Sequence, residues 1–368
     1  MKQSIFLAIF TANREKLIGI DLFSGAGGMT LGAKLSGINV RYSVEINKYA
    51  TETYQFNNPD VTVFNKDIKK IKPDMFEASG NLVLFGGPPC QGFSVSNSKT
   101  RNKENPKNWL FKEFFRLAKA LKPNWIVIEN VTGIKETEGG YFLEKILKEL
   151  VKLEYLVNHQ VLTASDYGVP QSRNRYFIVG NNQSIDFKFP KPIQTKVTVY
   201  DAIGDLPDLE NGHSISKMNY KTNHPHSNFT DLMRNGIDYV HNNLVTRNAP
   251  HIVKRYKYIP QGGNWENIPK RLMKNYSDRE RCHTGIYHRL VEDEPAKVIG
   301  NFRKNMLVHP HQDRGLSVRE AARLQSFPDY YIFKGSIGFQ QQQVADAVPP
   351  LLAKAVFDQI ISYNGIVE

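Results

Sequence analysis

Between Leu17 and Gly180, short apolar runs alternate with segments of helical periodicity. Leu17–Phe23, Arg41–Ile46, Val61–Phe64, Asn81–Phe85, Trp125–Ile128 and Arg175–Gly180 read as strands. Met29–Leu35, Lys48–Phe56, Trp109–Leu121 and Phe142–Leu153 fall between them, with apolar residues at helical spacing. Strands alternating with helices predict an α/β fold, a parallel sheet covered by helices on both faces. After Gly180 the periodicity is lost, and nine of the ten histidines lie beyond residue 200. The chain therefore divides into a domain at 1–185 and a smaller, irregular domain at 186–334. The apolar helical pattern Gln343–Ile361, within about 335–368, is expected to rejoin the first domain.

The longest apolar run, Ser4–Phe10, falls short of the ~20 residues that a membrane span needs. Lys2 precedes it, but Asn13-Arg14-Glu15-Lys16 follows without a small-residue cleavage site. It reads as a strand or helix on the body, or as an extension, rather than as a signal peptide. The two cysteines, Cys90 and Cys282, build no disulfide framework, so a reducing, cytoplasmic setting is expected. A net charge of +12 favours a polyanionic partner.

The turn Asp21-Leu22-Phe23-Ser24-Gly25-Ala26-Gly27-Gly28 follows the first strand and opens a helix. Glycines there let a ligand approach the backbone. Thr30 stands where a dinucleotide fingerprint has its third glycine, which disfavours a pyrophosphate cradle. Glu45, at the end of the next strand, suits ribose hydroxyls, and Asp67, after the third, suits an adenine amino group. Together they point to an adenosine-bearing cofactor such as S-adenosylmethionine.

Gly86-Gly87-Pro88-Pro89-Cys90-Gln91-Gly92-Phe93-Ser94 follows another strand and puts a cysteine in polar, turn-forming surroundings at a strand's carboxyl end. Ser94–Asn108 carries Lys99, Arg101 and Lys103 and reads as a cationic loop. Glu129, ending the strand Trp125–Ile128 among apolar neighbours, is a candidate acid with a raised pKa. Gln171-x-Arg173-x-Arg175 leads into the last strand, and the alternation puts two guanidinium groups on one side of an extended chain.

These residues closely resemble the DNA cytosine-5 methyltransferases of bacterial type. DLFSGAGG at 21–28, Glu45, Asp67, GGPPCQGFS at 86–94, ENV at 129–131, QSRNR at 171–175, LSVREAARLQSFPD at 316–329 and QVADAVPP at 343–350 occur in the family's order. The resemblance implies a Rossmann-like sheet with a smaller target-recognition domain. It implies methyl transfer from S-adenosylmethionine to C5 of a cytosine flipped out of a specific double-stranded DNA site. By family position Cys90 is the nucleophile that adds to C6, Glu129 holds or protonates N3, and Arg175 with Arg173 contacts the base oxygen. Phe23 would stack on the adenine, Glu45 bind the ribose and Asp67 the amino group. Ser24, Gly25, Gly27, Gly28, Ile46, Ile68, Pro88, Asp346 and Val348 complete the implied cofactor pocket. The sequence departs from the family at Ala345-Asp346, where Gly-Asn is usual, and Asp346→Asn is expected to tighten cofactor binding.

The resemblance places target recognition at about 182–315. Residues 247–281 hold nine Lys and Arg against three acids, a net +6 that is half the charge of the chain. Lys254, Arg255 and Lys257 there, with Ser94, Lys99 and Arg101, are expected to touch DNA phosphates, and Gln261 to enter a groove. The histidines lack accompanying CxxC pairs, so no metal site is expected. A monomer is expected, with a companion restriction endonuclease as a candidate partner and the nucleoid of a prokaryotic cytoplasm as the setting. An RNA (tRNA) cytosine-5 methyltransferase, a non-catalytic DNA-binding relative and a dinucleotide-dependent oxidoreductase are the competing readings. The first of these lacks its Cys-Phe-Thr tripeptide here.

Overall fold

The computed structural model describes residues 17–77, 80–89, 105–222, 227–274, 285–300 and 302–363. The expected segment Ser4–Phe10 lies outside them. Seven strands among the described residues form one sheet: β1 Ile18–Leu22, β2 Asn39–Val44, β3 Thr62–Phe64, β4 Leu82–Gly86, β5 Trp125–Asn130, β6 Leu156–Thr163 and β7 Asn174–Asn181. Their order is β3-β2-β1-β4-β5-β7-β6. The strands β1 to β5 pair in parallel, and β7 runs antiparallel to both β5 and β6.

The all-parallel expectation is thus corrected at one edge. Leu156–Thr163 escaped the sequence reading because β6 is an edge strand with few buried side chains, so it carries no apolar run. Its hairpin with β7 reverses the last strand.

Both faces of the sheet are covered. On one, α1 Gly28–Leu35 and α2 Lys48–Asn57 contribute Met29, Ala33 and Tyr54 to a core that also holds Val83, Phe85, Trp125 and Val127. On the other, α3 Phe111–Leu121 and α4 Tyr141–Lys152 pack Phe114, Leu117, Phe142, Ile146 and Leu150 on Ile20, Leu84, Ile126 and Ile128. Both α3 and α4 bury an apolar stripe at helical spacing, which is why the sequence revealed them.

The rest of the chain uses shorter helices: α5 Val199–Ile203, α6 Asn228–Arg234, α7 Pro250–Tyr256, α8 Phe302–Asn305 and α9 Val318–Leu324. Two longer ones follow, α10 Ile337–Asp346 and α11 Pro350–Tyr363. The single helix expected over Gln343–Ile361 is broken at Ala347–Pro349. Proline disfavours helical backbone in the residue before it and lacks an N–H, while Pro350 is tolerated at the first position of α11. Leu352, Val356, Phe357 and Ile360 of α11 join the core on the α1 face of the sheet. Val344 of α10 joins a separate cluster with Val199, Phe229, Leu316, Val318 and Phe327. A fourth cluster centres on Tyr256, Trp265, Tyr287 and Val308. No helix among the described residues is long and apolar enough to cross a membrane.

Candidate active site

Strand order reverses between β1 and β4, so the loops leaving their carboxyl ends diverge and leave a crevice. A cleft of about 1440 Å³ lies there, lined by Phe23, Glu45, Asp67, Pro88, Glu129 and Arg175 among others. Residues of the smaller domain, including His288, Lys297 and Gly300, close it from the other side.

The glycine turn is shaped by close contacts. A Cβ on Gly28 would stand 2.2 Å from the Val348 carbonyl oxygen, and Gly27, at φ 93°, would meet the Tyr331 hydroxyl. The turn and the α10–α11 link therefore interlock with no room for side chains. Phe23 has φ 62°, an unfavourable left-handed conformation for an aromatic residue. Its amide bonds Val44 O at 2.9 Å, and its ring lines the cleft.

Glu45 accepts from Gly25 N at 2.8 Å and from Asn47 N at 2.7 Å, so its carboxylate pins the turn that it faces. Burial raises its pKa, and these backbone N–H groups partly offset the rise. Asp67 Oδ1 accepts from Lys69 N at 3.0 Å. Ser24 Oγ lies 2.7 Å from Ser43 Oγ. Gly25, Ile46, Ile68, Asp346 and Val348 also line the cleft.

Asp21 was missed as a site residue, although it begins the turn. It is fully buried, its Oδ2 accepts from Thr30 Oγ1 at 2.6 Å, and its Oδ1 has no hydrogen-bond partner. Burial pushes its pKa up to about 8; the Thr30 hydroxyl works against this and Glu45 adds to it. A strand-end acid inside the quoted motif was the available signal.

On the other wall, Glu129 ends β5 and is 7% exposed. Arg175 Nε stands 2.7 Å from Glu129 Oε1. Burial raises the Glu129 pKa, and the charges of Arg175 and Arg173 draw it back. The antiparallel sense of β7 is what allows this pair. In the register Glu129 pairs with Phe177 and Asn130 with Tyr176, so the start of β7 lies at the carboxyl end of β5. A parallel β7 would leave Arg175 at the opposite edge.

The two arginines divide their work. Arg173 is buried, and its guanidinium donates to Ile299 O at 2.9 Å and Ala345 O at 2.8 Å. It ties the smaller domain and the end of α10 to the sheet, where the sequence had it contact a base. Asn130 Nδ2 donates to Pro88 O at 3.2 Å and braces the loop that leads toward Cys90.

Cys90, Ser94, Lys99 and Arg101 lie outside the described residues, as do Cys282, His283, His224 and His226. Lys254, Lys257 and Gln261 are exposed on α7 and the turn after it. Gln261 Oε1 accepts from Glu292 N at 3.0 Å. The expectation for Arg255 is corrected. It is 2% exposed, donates to Leu272 O and to the Tyr287 hydroxyl at 2.7 Å, and so holds the domain together instead of facing a phosphate. Helical spacing explains the error, because adjacent residues point to different sides of α7. Among the described residues no three His, Cys, Asp or Glu gather as metal ligands would.

A family model for C-5 cytosine-specific DNA methylases matches residues 17–362. The chain is 35% identical over 366 residues to the type II methyltransferase M1.HphI of Haemophilus parahaemolyticus, covering 98% of this chain and 90% of that one. It is 36% identical over 374 residues to the type II methyltransferase M.DdeI of Desulfomicrobium norvegicum, covering 94% and 88%. A solved structure from E. coli, described as a prophage-encoded DNA modification methyltransferase, superposes with a TM-score of 0.77. That structure shares 26% identity, over 94% of this chain and 99% of its own.

Proposed function

The chain belongs to the C-5 cytosine-specific DNA methylase family and is a DNA cytosine-5 methyltransferase, and from this premise we propose that S-adenosylmethionine is its methyl donor and Cys90 its nucleophile. What supports the reading is one cleft in which the glycine turn with its acids and the Glu129–Arg175 pair form opposite walls. The donor set suits that cofactor: Phe23 for the adenine ring, Asp67 for its amino group, Glu45 for the ribose, and an unpaired buried oxygen on Asp21 beside them. Ser24, Gly25, Gly27, Gly28, Ile46, Ile68, Pro88, Asp346 and Val348 shape the remainder. Bound there, the cofactor supplies an electrophilic methyl group.

The side chains do the rest. Cytosine C5 is a poor nucleophile, and addition of the Cys90 thiolate to C6 turns C5 into an enamine carbon. Glu129, whose burial favours the protonated form, holds the proton at N3 that this addition requires. Arg175 keeps Glu129 in place and stabilises charge developing on the base oxygen, and Arg173 positions the strand start from behind. Loss of the C5 proton then lets the thiolate leave. The target carbon is unreachable inside a stacked duplex, so the cytosine is flipped into the cleft. Ser94, Lys99, Arg101, Lys254, Lys257 and Gln261 contact the surrounding DNA. We place the enzyme in the cytoplasm as a monomer acting at a specific duplex site, with a restriction endonuclease for the same site as its companion.

The test is transfer of labelled methyl from S-adenosylmethionine to duplex DNA and to tRNA, with bisulfite sequencing of DNA from an expressing host. Label in duplex DNA alone is expected. Cys90→Ser should abolish transfer while cofactor binding persists, and retained transfer would overturn the nucleophile. Glu129→Gln should lower kcat by about 10²-fold or more.

A further inference from the structure

Asp346 is the last residue of α10, where the helix carbonyls already present negative charge. An acid is the wrong sign for that place unless a cation comes to it. Its Oδ1 accepts from Gln342 Nε2 at 2.7 Å, which fixes the carboxylate one turn above the break at Ala347. Its surroundings have two flanks. Toward the glycine turn its charge is felt by Glu45, and toward the base-side wall its partners are Arg173 and Arg175. The backbone holds it at that junction: Ala345 O bonds Arg173, and Val348 O abuts Gly28. Asp21, buried with one oxygen unpaired, lines the same cleft. The cofactor wall therefore presents Asp21, Glu45 and Asp346, and the described arginines nearest to them lie on the opposite, base-side wall.

We propose that Asp346, acting with Asp21 and Glu45, makes this cleft read the charge of its cofactor, holding the sulfonium form and releasing the neutral thioether. The inference rests on the reading that S-adenosylmethionine occupies this cleft. Methyl transfer breaks the S–CH₃ bond and leaves its electron pair on sulfur, so the ligand loses one positive charge as the product forms. Three carboxyl groups that a cation satisfied then face one another across a neutral sulfur. The burial that raises all three pKa values is the cost that the bound cation offsets. Product release is thereby driven by the reaction itself. For Asp346→Asn this reverses the direction expected from the sequence: the charged cofactor binds more weakly.

Titration calorimetry on the full chain tests this with three ligands: S-adenosylmethionine, S-adenosylhomocysteine, and an analogue with a protonated amine in place of the sulfonium. The wild type should prefer both charged ligands over the thioether. Asp346→Asn should narrow that preference about tenfold, and Asp346→Glu should keep it. Equal ratios in wild type and Asp346→Asn, with circular dichroism showing both folded, would overturn the proposal. Binding of none of the three ligands to the wild type would instead overturn the cofactor reading beneath it.

Discussion

The sheet and the smaller domain are built from different interactions. Between Leu17 and Asn181 the core is aliphatic and aromatic, with Leu84, Phe85, Ile126 and Phe177 fully buried. Beyond residue 199 the deepest side chains include arginines: Arg314, Arg319 and Arg323 are among the largest fully buried ones. Arg323 forks onto Asp329 at 2.8 and 2.6 Å and reaches Asp205 at 3.1 Å. Arg289 donates to the carbonyls of Ile259, His309 and Tyr256, and Arg319 to those of His241 and Tyr331. Irregular backbone leaves carbonyls without strand or helix partners, and long, many-donor side chains satisfy them where a ladder cannot. The difference teaches why one region tolerates apolar exchange and the other depends on single polar residues.

The largest effect that would break this comparison is at Arg323. Arg323→Ala leaves Asp329 and Asp205 buried without their cation, a loss of ~3–5 kcal/mol. Ile126→Val in the sheet costs only about 1 kcal/mol. Urea unfolding of both variants decides, and an Arg323→Ala cost no larger than that of Ile126→Val would refute the contrast.

A smaller effect follows acid. Burial holds the His309 pKa down to about 4, against a smaller opposing pull from Glu320, while Arg314 holds Glu320 down to about 2 despite its burial. Both folded values lie below the unfolded ones. Unfolded His309 therefore takes up a proton between pH 6.5 and 4 that the folded state refuses, and Glu320 does the same from about 4.5 to 2. Stability is full above pH 6.5 and falls as pH falls, by up to ~3 kcal/mol for His309 alone. His309 Nδ1 accepts from His311 N and Gln312 N, a role that an Asn oxygen can fill. The thermal midpoint of His309→Asn should therefore vary less between pH 6.5 and 4 than that of the wild type. An unchanged slope would remove His309 from the account.

The smallest effect sharpens the comparison at the surface. Lys254→Ala and Lys257→Ala should each weaken DNA binding evenly across sequences and reduce the salt slope by about 1, with the fold intact. Arg255→Ala, one residue away, should lower the melting temperature instead, because its guanidinium spans Leu272 and Tyr287. A purely DNA-binding defect in Arg255→Ala would contradict its burial.

Legibility followed the same divide. The apolar stripes of α3 and α4 announced themselves because half of each helix is buried. The β6 edge strand did not, since its side chains are mostly in solvent. Within the site, Phe23, Glu45, Asp67 and Glu129 were readable because each stands at a strand end, where local order alone implies a ligand edge. Asp21 and the interior role of Arg173 were not, since they depend on what covers them.

By itself the sequence determined the alternation of strands and helices, the glycine turn and the chemistry of the acids that follow it. These are local properties, set by side-chain period and backbone freedom. Only the tertiary structure decided that β7 runs backwards, bringing Arg175 to Glu129, that Arg173 and Arg255 are struts, and that Asp346 faces the cofactor wall. Those facts depend on contacts between residues far apart in the chain, such as Arg173 with Ala345 and Gly28 with Val348. No local pattern encodes a neighbour that arrives only when the chain has folded.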